Sequence, residues 1–200
     1  MKDFFDFKDQ FFGQAVNSDV YLVVGNVTTS STQAGASLPL SGGGAEEVAL
    51  HLGEKLQINS ALMTEFCAEF NITEEAGIDA NNSVFIGLLG GNYGSDLSNV
   101  AKRVGFIVEG KTIKFIGEDG TNSVAEDTAE LLANRPNRVV INVARGWEQA
   151  EISVNGRPFG GYLDLTSIKG QGLQLTAQAT GTAVNELILS SWSFRGRKSI

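Results

Sequence analysis

The stretch "LMTEFCAEFNI" (residues 62–72) alternates with a period of two. Leu62, Thr64, Phe66, Ala68, Phe70 and Ile72 fall on one side, and Met63, Glu65, Cys67, Glu69 and Asn71 on the other. A helix of 3.6 residues per turn scatters these glutamates around the apolar stripe, whereas a strand sorts them onto one face. The segment reads as a half-buried strand, with the phenylalanines in a core and the glutamates toward water.

The same period recurs along the chain, punctuated by 24 glycines. "SDVYLVVG" (18–25), "EEVALHL" (46–52) and "SVFIGLLG" (83–90) read as strands, the last apolar on both faces and therefore central. "RVGFIVEGKTIKFIGED" (103–119) reads as two strands about Glu109-Gly110-Lys111. "QAEISVNGRPFGGYLDL" (149–165) folds back at Asn155-Gly156, a pair suited to the positive φ of a type I′ hairpin turn. "RVVINVAR" (138–145), "QGLQLTAQA" (171–179) and "VNELILSSWSF" (184–194) complete the set. One helical candidate stands out, "SVAEDTAELLANRPNR" (123–138), with Ala129, Leu132 and Ala133 as its apolar stripe and Pro136 as its stop. The segment 26–44 is small, polar and Gly/Ser-rich and reads as a long flexible loop. One domain over residues 1–200 is expected.

Charge narrows the partners. Lys and Arg total 15 against 23 Asp and Glu, a formal net charge of −8, with a sequence pI near 4.7. A domain this acidic is repelled by phosphate backbones and anionic lipid, which disfavours nucleic acid and membrane. One cysteine, Cys67, and one histidine, His51, exclude an intrachain disulfide and a Cys/His metal cluster. The amino end, "MKDFFDFKDQFF", has no apolar h-region and does not read as a signal peptide, which points to synthesis in the cytoplasm. "RGRKSI" (195–200) reads as a short basic tail, either a disordered end or a docking segment for an acidic neighbour.

"RVVINVARGWEQAEISVNGRPFGGYLDL" (138–165) resembles the signature hairpins of the concanavalin A-like lectin/glucanase superfamily, which includes laminin-G-like domains. "FDFKDQF" (5–11) and "LILSSWSF" (187–194) resemble the paired terminal strands that close such sandwiches. The resemblance implies an all-β fold, a two-sheet antiparallel jelly-roll β-sandwich with at most one short helix. Retaining glucanases of the superfamily carry Glu-x-Asp-x-Glu on one strand, and Glu65 and Glu69 match the outer pair. Cys67 stands where the aspartate belongs, and a thiol between two glutamates supplies no charge at neutral pH. The strand also offers no aromatic platform on the glutamate face, so the chain is expected to bind and not to catalyse.

Lectins of the superfamily often hold calcium through loop oxygens, and Asp79, Asn81, Asn82, Asp96 and Asn99 offer such oxygens for Ca²⁺. The same residues serve turns, which is the favoured reading, so no cofactor is expected. Tyr93, with Asn92 and Asp96, and Trp147 sit at turn positions where a ring can stack on a sugar. His51 falls on the strand face opposite Leu50 and Leu52, with no catalytic partner recognisable by spacing. Two roles follow. One is a structural module docked on capsid or tail proteins at a bacteriophage virion surface; the alternative is a lectin for surface polysaccharide.

Overall fold

The computed structural model describes residues 4–11, 15–29, 34–52, 58–73, 82–90, 102–170, 172–183 and 185–197. These form two antiparallel sheets. Sheet A runs β14 (Arg157–Leu163), β13 (Ala150–Val154), β12 (Asn137–Asn142), β7 (Met63–Thr73), β16 (Asn185–Arg197), β4 (Ala36–Leu40), β3 (Thr28–Thr29). β1 (Phe4–Gln10) pairs with the far half of β16. Sheet B runs β11 (Ser123–Glu130), β10 (Thr112–Glu118), β9 (Lys102–Glu109), β8 (Ser83–Gly90), β15 (Gly172–Gly181), β5 (Glu46–Leu52), β2 (Tyr21–Val24). β6 (Ile58–Asn59) caps one end of β15.

The core lies between the sheets and is built by period-two alternation. Sheet A contributes Phe66, Phe70, Ile141 and Trp192; sheet B contributes Ile86, Phe106, Phe115 and Leu175, all essentially inaccessible to water. Burying each such side chain stabilises the fold by about 1.5–3 kcal/mol relative to exposure. The terminal strands close as the resemblance implies: Phe7 lies opposite Phe194, with ring centroids 5.3 Å apart. Beside them Phe11, Tyr21 and Trp192 pack ring against ring, and the Trp192 indole donates to the Tyr21 hydroxyl at 3.3 Å. The β13–β14 hairpin turns at Asn155 and Gly156, both at positive φ (52° and 76°).

Four expectations need correction. The segment 123–138 is not helical: β11 pairs with β10, its alanines and glutamates recruited to a sheet edge despite their helix propensity. Leu131 is buried there, while Leu132 stands 43% exposed. The segment 26–44 is ordered in part, because Ala36, Leu38 and Leu40 of β4 enter the core beside β16. The basic tail begins later than residue 195, since Arg195 and Arg197 belong to β16, held between β7 and β1; residues 198–200 lie outside the described residues. The strict alternation of 62–72 also breaks at Thr64. A bulge there sets Glu65 opposite Arg195 but Met63 opposite Gly196, so Met63 turns into the core. Of helix, the described residues hold only three short 3-10 turns, Ser60–Leu62, Trp147–Gln149 and Thr166–Ile168.

On the outer face of sheet B, Gly87 of β8 lies directly opposite Gly105 of β9, leaving room for the Phe85 ring. A Cβ on Gly87 would sit 2.4 Å from the Val104 carbonyl oxygen, which is backbone and cannot yield cheaply. Gly87→Ala is expected to destabilise the protein by about 1–3 kcal/mol in guanidinium unfolding.

Candidate functional site

The outward side chains of sheet A form a lateral row, which the strand register defines. Tyr162 of β14 lies opposite Glu151 of β13, and Glu151 opposite Asn142 of β12. Asn142 lies opposite Glu65 of β7, Glu65 opposite Arg195 of β16, and Arg195 opposite Asp6 of β1. Six strands therefore present one ring and five polar groups in a line about 24 Å long, at about 4.8 Å per strand.

Two clefts open along this row and meet at Asn142. One, of about 570 Å³, is lined by Asp6, Thr64, Glu65, Asn142, Ala144, Arg195 and Arg197. The other, of about 500 Å³, lies over β12–β14 and includes Val140, Glu151, Ser153, Phe159 and Tyr162. Tyr162 is 52% exposed. Arg145 donates to its hydroxyl and sets its guanidinium 5.6 Å from the ring centroid, fixing the orientation of the ring. Arg195 is held by Asp6 at 2.7 Å. The aromatic wall that the β7 strand lacks is thus supplied by β14.

Glu65 and Glu69 face outward and Phe66 and Phe70 inward, as the alternation predicts. The two glutamates do not act as a pair. Glu65 enters the first cleft, whereas Glu69 is exposed and its carboxylate lies 3.5 Å from the Arg138 guanidinium. Four residues apart on a strand, their Cα atoms are separated by about 13 Å. Burial pushes the Cys67 thiol up from its ordinary pKa; neighbouring Arg138 opposes this, and Glu69 and Glu65 add to it. The thiol is neutral where a catalytic aspartate would be charged.

Trp147 does not present its ring to solvent. The sharp backbone turn at Gly146 (φ 105°) leads into the Trp147–Gln149 turn, and the buried indole donates to the Ser60 carbonyl at 2.9 Å. Tyr93, Asn92 and Asp96, together with Asp79, Asn81 and Asn99, lie outside the described residues. Asn82 is spent on backbone: its Oδ1 accepts from the Thr182 and Ala183 amides and its Nδ2 donates to the Ala183 carbonyl. Among the described residues, no group of three His, Cys, Asp or Glu is arranged to hold a metal. None of their helices is long and apolar enough to cross a membrane.

Sequence reasoning missed Tyr162 and Arg145. The signal was present in the alternation of "EISV" and "GGYLD", which puts Glu151 and Tyr162 on one face once the Asn155-Gly156 turn fixes the hairpin.

No family model matches the chain, and no curated protein matches it in sequence. Solved structures match it along nearly its whole length. Peanut lectin bound to a nine-residue peptide superposes with a TM-score of 0.70 at 11% identity, covering 99% of this chain and 100% of that one. The Emp46p carbohydrate recognition domain gives 0.68 at 11% identity, covering 95% of each chain. A Bacteroides ovatus mixed linkage glucan GH16 in complex with product gives 0.66 at 9% identity, covering 94% of this chain and 99% of that one. The chain has the concanavalin A-like jelly-roll fold. That fold is shared by lectins and a glucan-acting protein, so the fold alone does not fix what the chain binds.

His51 is buried on sheet B, with Nδ1 2.9 Å from Thr176 Oγ1, far from this face. Burial lowers its pKa from 6.5 to about 4, so the fold favours the neutral ring. The unfolded chain takes up a proton below about pH 6.5, and the folded one only near 4. The contribution is complete above 6.5 and is lost as pH falls through this window. Relative to His51→Gln, the unsubstituted protein is expected to lose on the order of 3 kcal/mol between pH 7 and 4 in denaturant titrations.

Proposed function

We propose that the protein is a non-catalytic carbohydrate-binding module that lays a saccharide chain along the outer face of sheet A. The observation that carries this reading is the continuous row Tyr162–Glu151–Asn142–Glu65–Arg195–Asp6 with its two joined clefts. A pyranose has an apolar face and a rim of hydroxyls. Tyr162 supplies a fixed ring for the first, and alternating carboxylate, amide and guanidinium groups supply acceptors and donors for the second. A row of this length accommodates several sugar rings, which favours an extended polysaccharide over a single terminal sugar. The carbohydrate-binding proteins among the solved structures of this fold support the same class of ligand.

Binding without cleavage follows from the glutamates. A retaining pair needs two carboxyl groups about 5–5.5 Å apart across the scissile bond. Here one carboxylate lines the cleft and the other is engaged by Arg138. The docking role on a phage particle draws on composition alone; no feature of the fold or of its solved neighbours favours it.

Affinity gel electrophoresis against a panel of soluble polysaccharides tests the reading. At least one polymer is expected to retard the protein, and Tyr162→Ala is expected to weaken that retardation at least tenfold, about 1.4 kcal/mol. No release of reducing ends is expected, and Glu65→Gln should leave that baseline unchanged. Hydrolysis lost in Glu65→Gln would replace the binding module with an enzyme.

A further inference from the structure

Beside the first cleft, three cations line one pocket whose described lining holds no carboxylate. Arg145 follows β12, Lys169 caps the Thr166–Ile168 turn and Arg197 ends β16; these distant segments converge on one pocket of about 230 Å³. The other described residues lining it are uncharged. Four other cations are paired, Arg103 with Glu118, Lys114 with Glu109, Arg138 with Glu69 and Arg195 with Asp6. Among the described residues, Arg145, Lys169 and Arg197 have no carboxylate partner. Arg145 contacts the Tyr162 ring and hydroxyl, and Arg197 donates to the Ala144 carbonyl at 3.3 Å.

Three like charges in one pocket repel one another, and on a chain of net charge −8 there are carboxylates to spare for neutralising them. An arrangement that leaves them unneutralised is stabilised when an anion enters. Guanidinium forks and an ammonium suit the flat or tetrahedral oxygens of carboxylate and sulfate. The pocket shares Thr64, Ala144 and Arg197 with the first cleft, so a substituent held there belongs to a ligand lying along the row. Farther along, Glu65, Glu151 and Asp6 line the same surface and repel a second acidic group placed among them.

We propose that the pocket formed by Arg145, Lys169 and Arg197 binds the carboxylate or sulfate of an acidic polysaccharide in which charged rings are separated by neutral ones. This rests on the reading of the sheet A face as a saccharide site. Rings bearing hydroxyls alone lie over Asn142, Glu151 and Tyr162, and the anionic ring occupies the cationic end.

Titration calorimetry on the full chain with four oligosaccharide probes tests this. Hyaluronan carries a carboxylate on alternate rings, keratan sulfate carries sulfate without uronate, polygalacturonate carries a carboxylate on every ring, and a mixed-linkage glucan is neutral. Hyaluronan or keratan sulfate is expected to bind at least about tenfold more tightly than the other two, and which one does so identifies the anion. That preference should shrink on raising NaCl from about 0.05 to 0.5 M. Lys169→Gln should lower the acidic-to-neutral affinity ratio about tenfold, while Tyr162→Ala weakens the acidic and neutral probes together and keeps the ratio. A neutral glucan bound as tightly as the acidic probes, with the ratio unmoved by Lys169→Gln, overturns the anionic pocket and leaves the saccharide site standing. Equal binding of single-stranded DNA, insensitive to Tyr162→Ala, overturns both, as does binding of none of the four.

Discussion

The pairing of β7 with β16 is the constraint on which the rest of the structure depends. It joins residues 63–73 to residues 186–196, so neither strand has its neighbour until most of the chain is present. Its inner face sets Phe66, Phe70 and Ala68 beside Leu189, Trp192 and Phe194, with the small Ala68 opposite the indole of Trp192. Its outer face sets Glu65 beside Arg195. One register thus fixes the centre of the core and the centre of the cleft together, and a one-residue slip would exchange them. Two irregularities tune this register. The extra residue at Ser190 returns Trp192 to the core, and the bulge at Thr64 hands Thr64 to the cleft and Met63 to the interior. Because these contacts are distant in sequence, loop closure must precede their reward, and folding of such a topology is slow relative to helical domains.

Most strands were legible because their physical signal is local. Alternation in 62–72, the double-sided apolar run in 83–90 and the Asn155-Gly156 turn each state a strand or hairpin without reference to the remainder of the chain. The errors fall where a distant partner overrides a local preference. Alanines and glutamates in 123–130 favour a helix in isolation, but the open edge of β10 offers a ladder and a slot for Val124 and Ala129 against the core. "ASLPL" sits inside a Gly/Ser-rich stretch, and only β16 reveals that Ala36, Leu38 and Leu40 share a buried face. Arg195 and Arg197 look like a tail by composition and are strand residues by pairing.

The cleft was less legible than the fold for the same reason. Its row draws one residue from each of six strands spread between Asp6 and Arg195, and no window of sequence contains it. Turn-borne aromatics were the natural local guess for a sugar platform. Trp147 fails as one because its indole N–H finds the Ser60 carbonyl, and a buried donor with a partner is stable where it is. Tyr162 is exposed because its strand lies at the edge of sheet A. The Glu-x-Cys-x-Glu pattern marked the right strand for the wrong reason: one of its carboxylates reaches the cleft, and the other is drawn off by a cation.

A lectin and a glucan-acting protein share this backbone, so side chains must separate them, and on this chain the outer face of sheet A carries the two joined clefts. On the present chain that face has a distinct electrostatic layout. Along the row, Asp6 and Arg195 neutralise each other and the carboxylates of Glu65 and Glu151 remain, so the row is acidic. Positive charge gathers at the corner where Arg145, Lys169 and Arg197 meet. Carboxylates along the row accept from hydroxyls and repel anions, whereas the corner attracts anions, and both charge effects are screened by salt. Under the proposed function, affinity and selectivity fall to different residues, the ring of Tyr162 with the polar row and the cationic corner. Arg145 lies between the two, since the guanidinium that contacts the Tyr162 ring and hydroxyl also lines the cationic pocket.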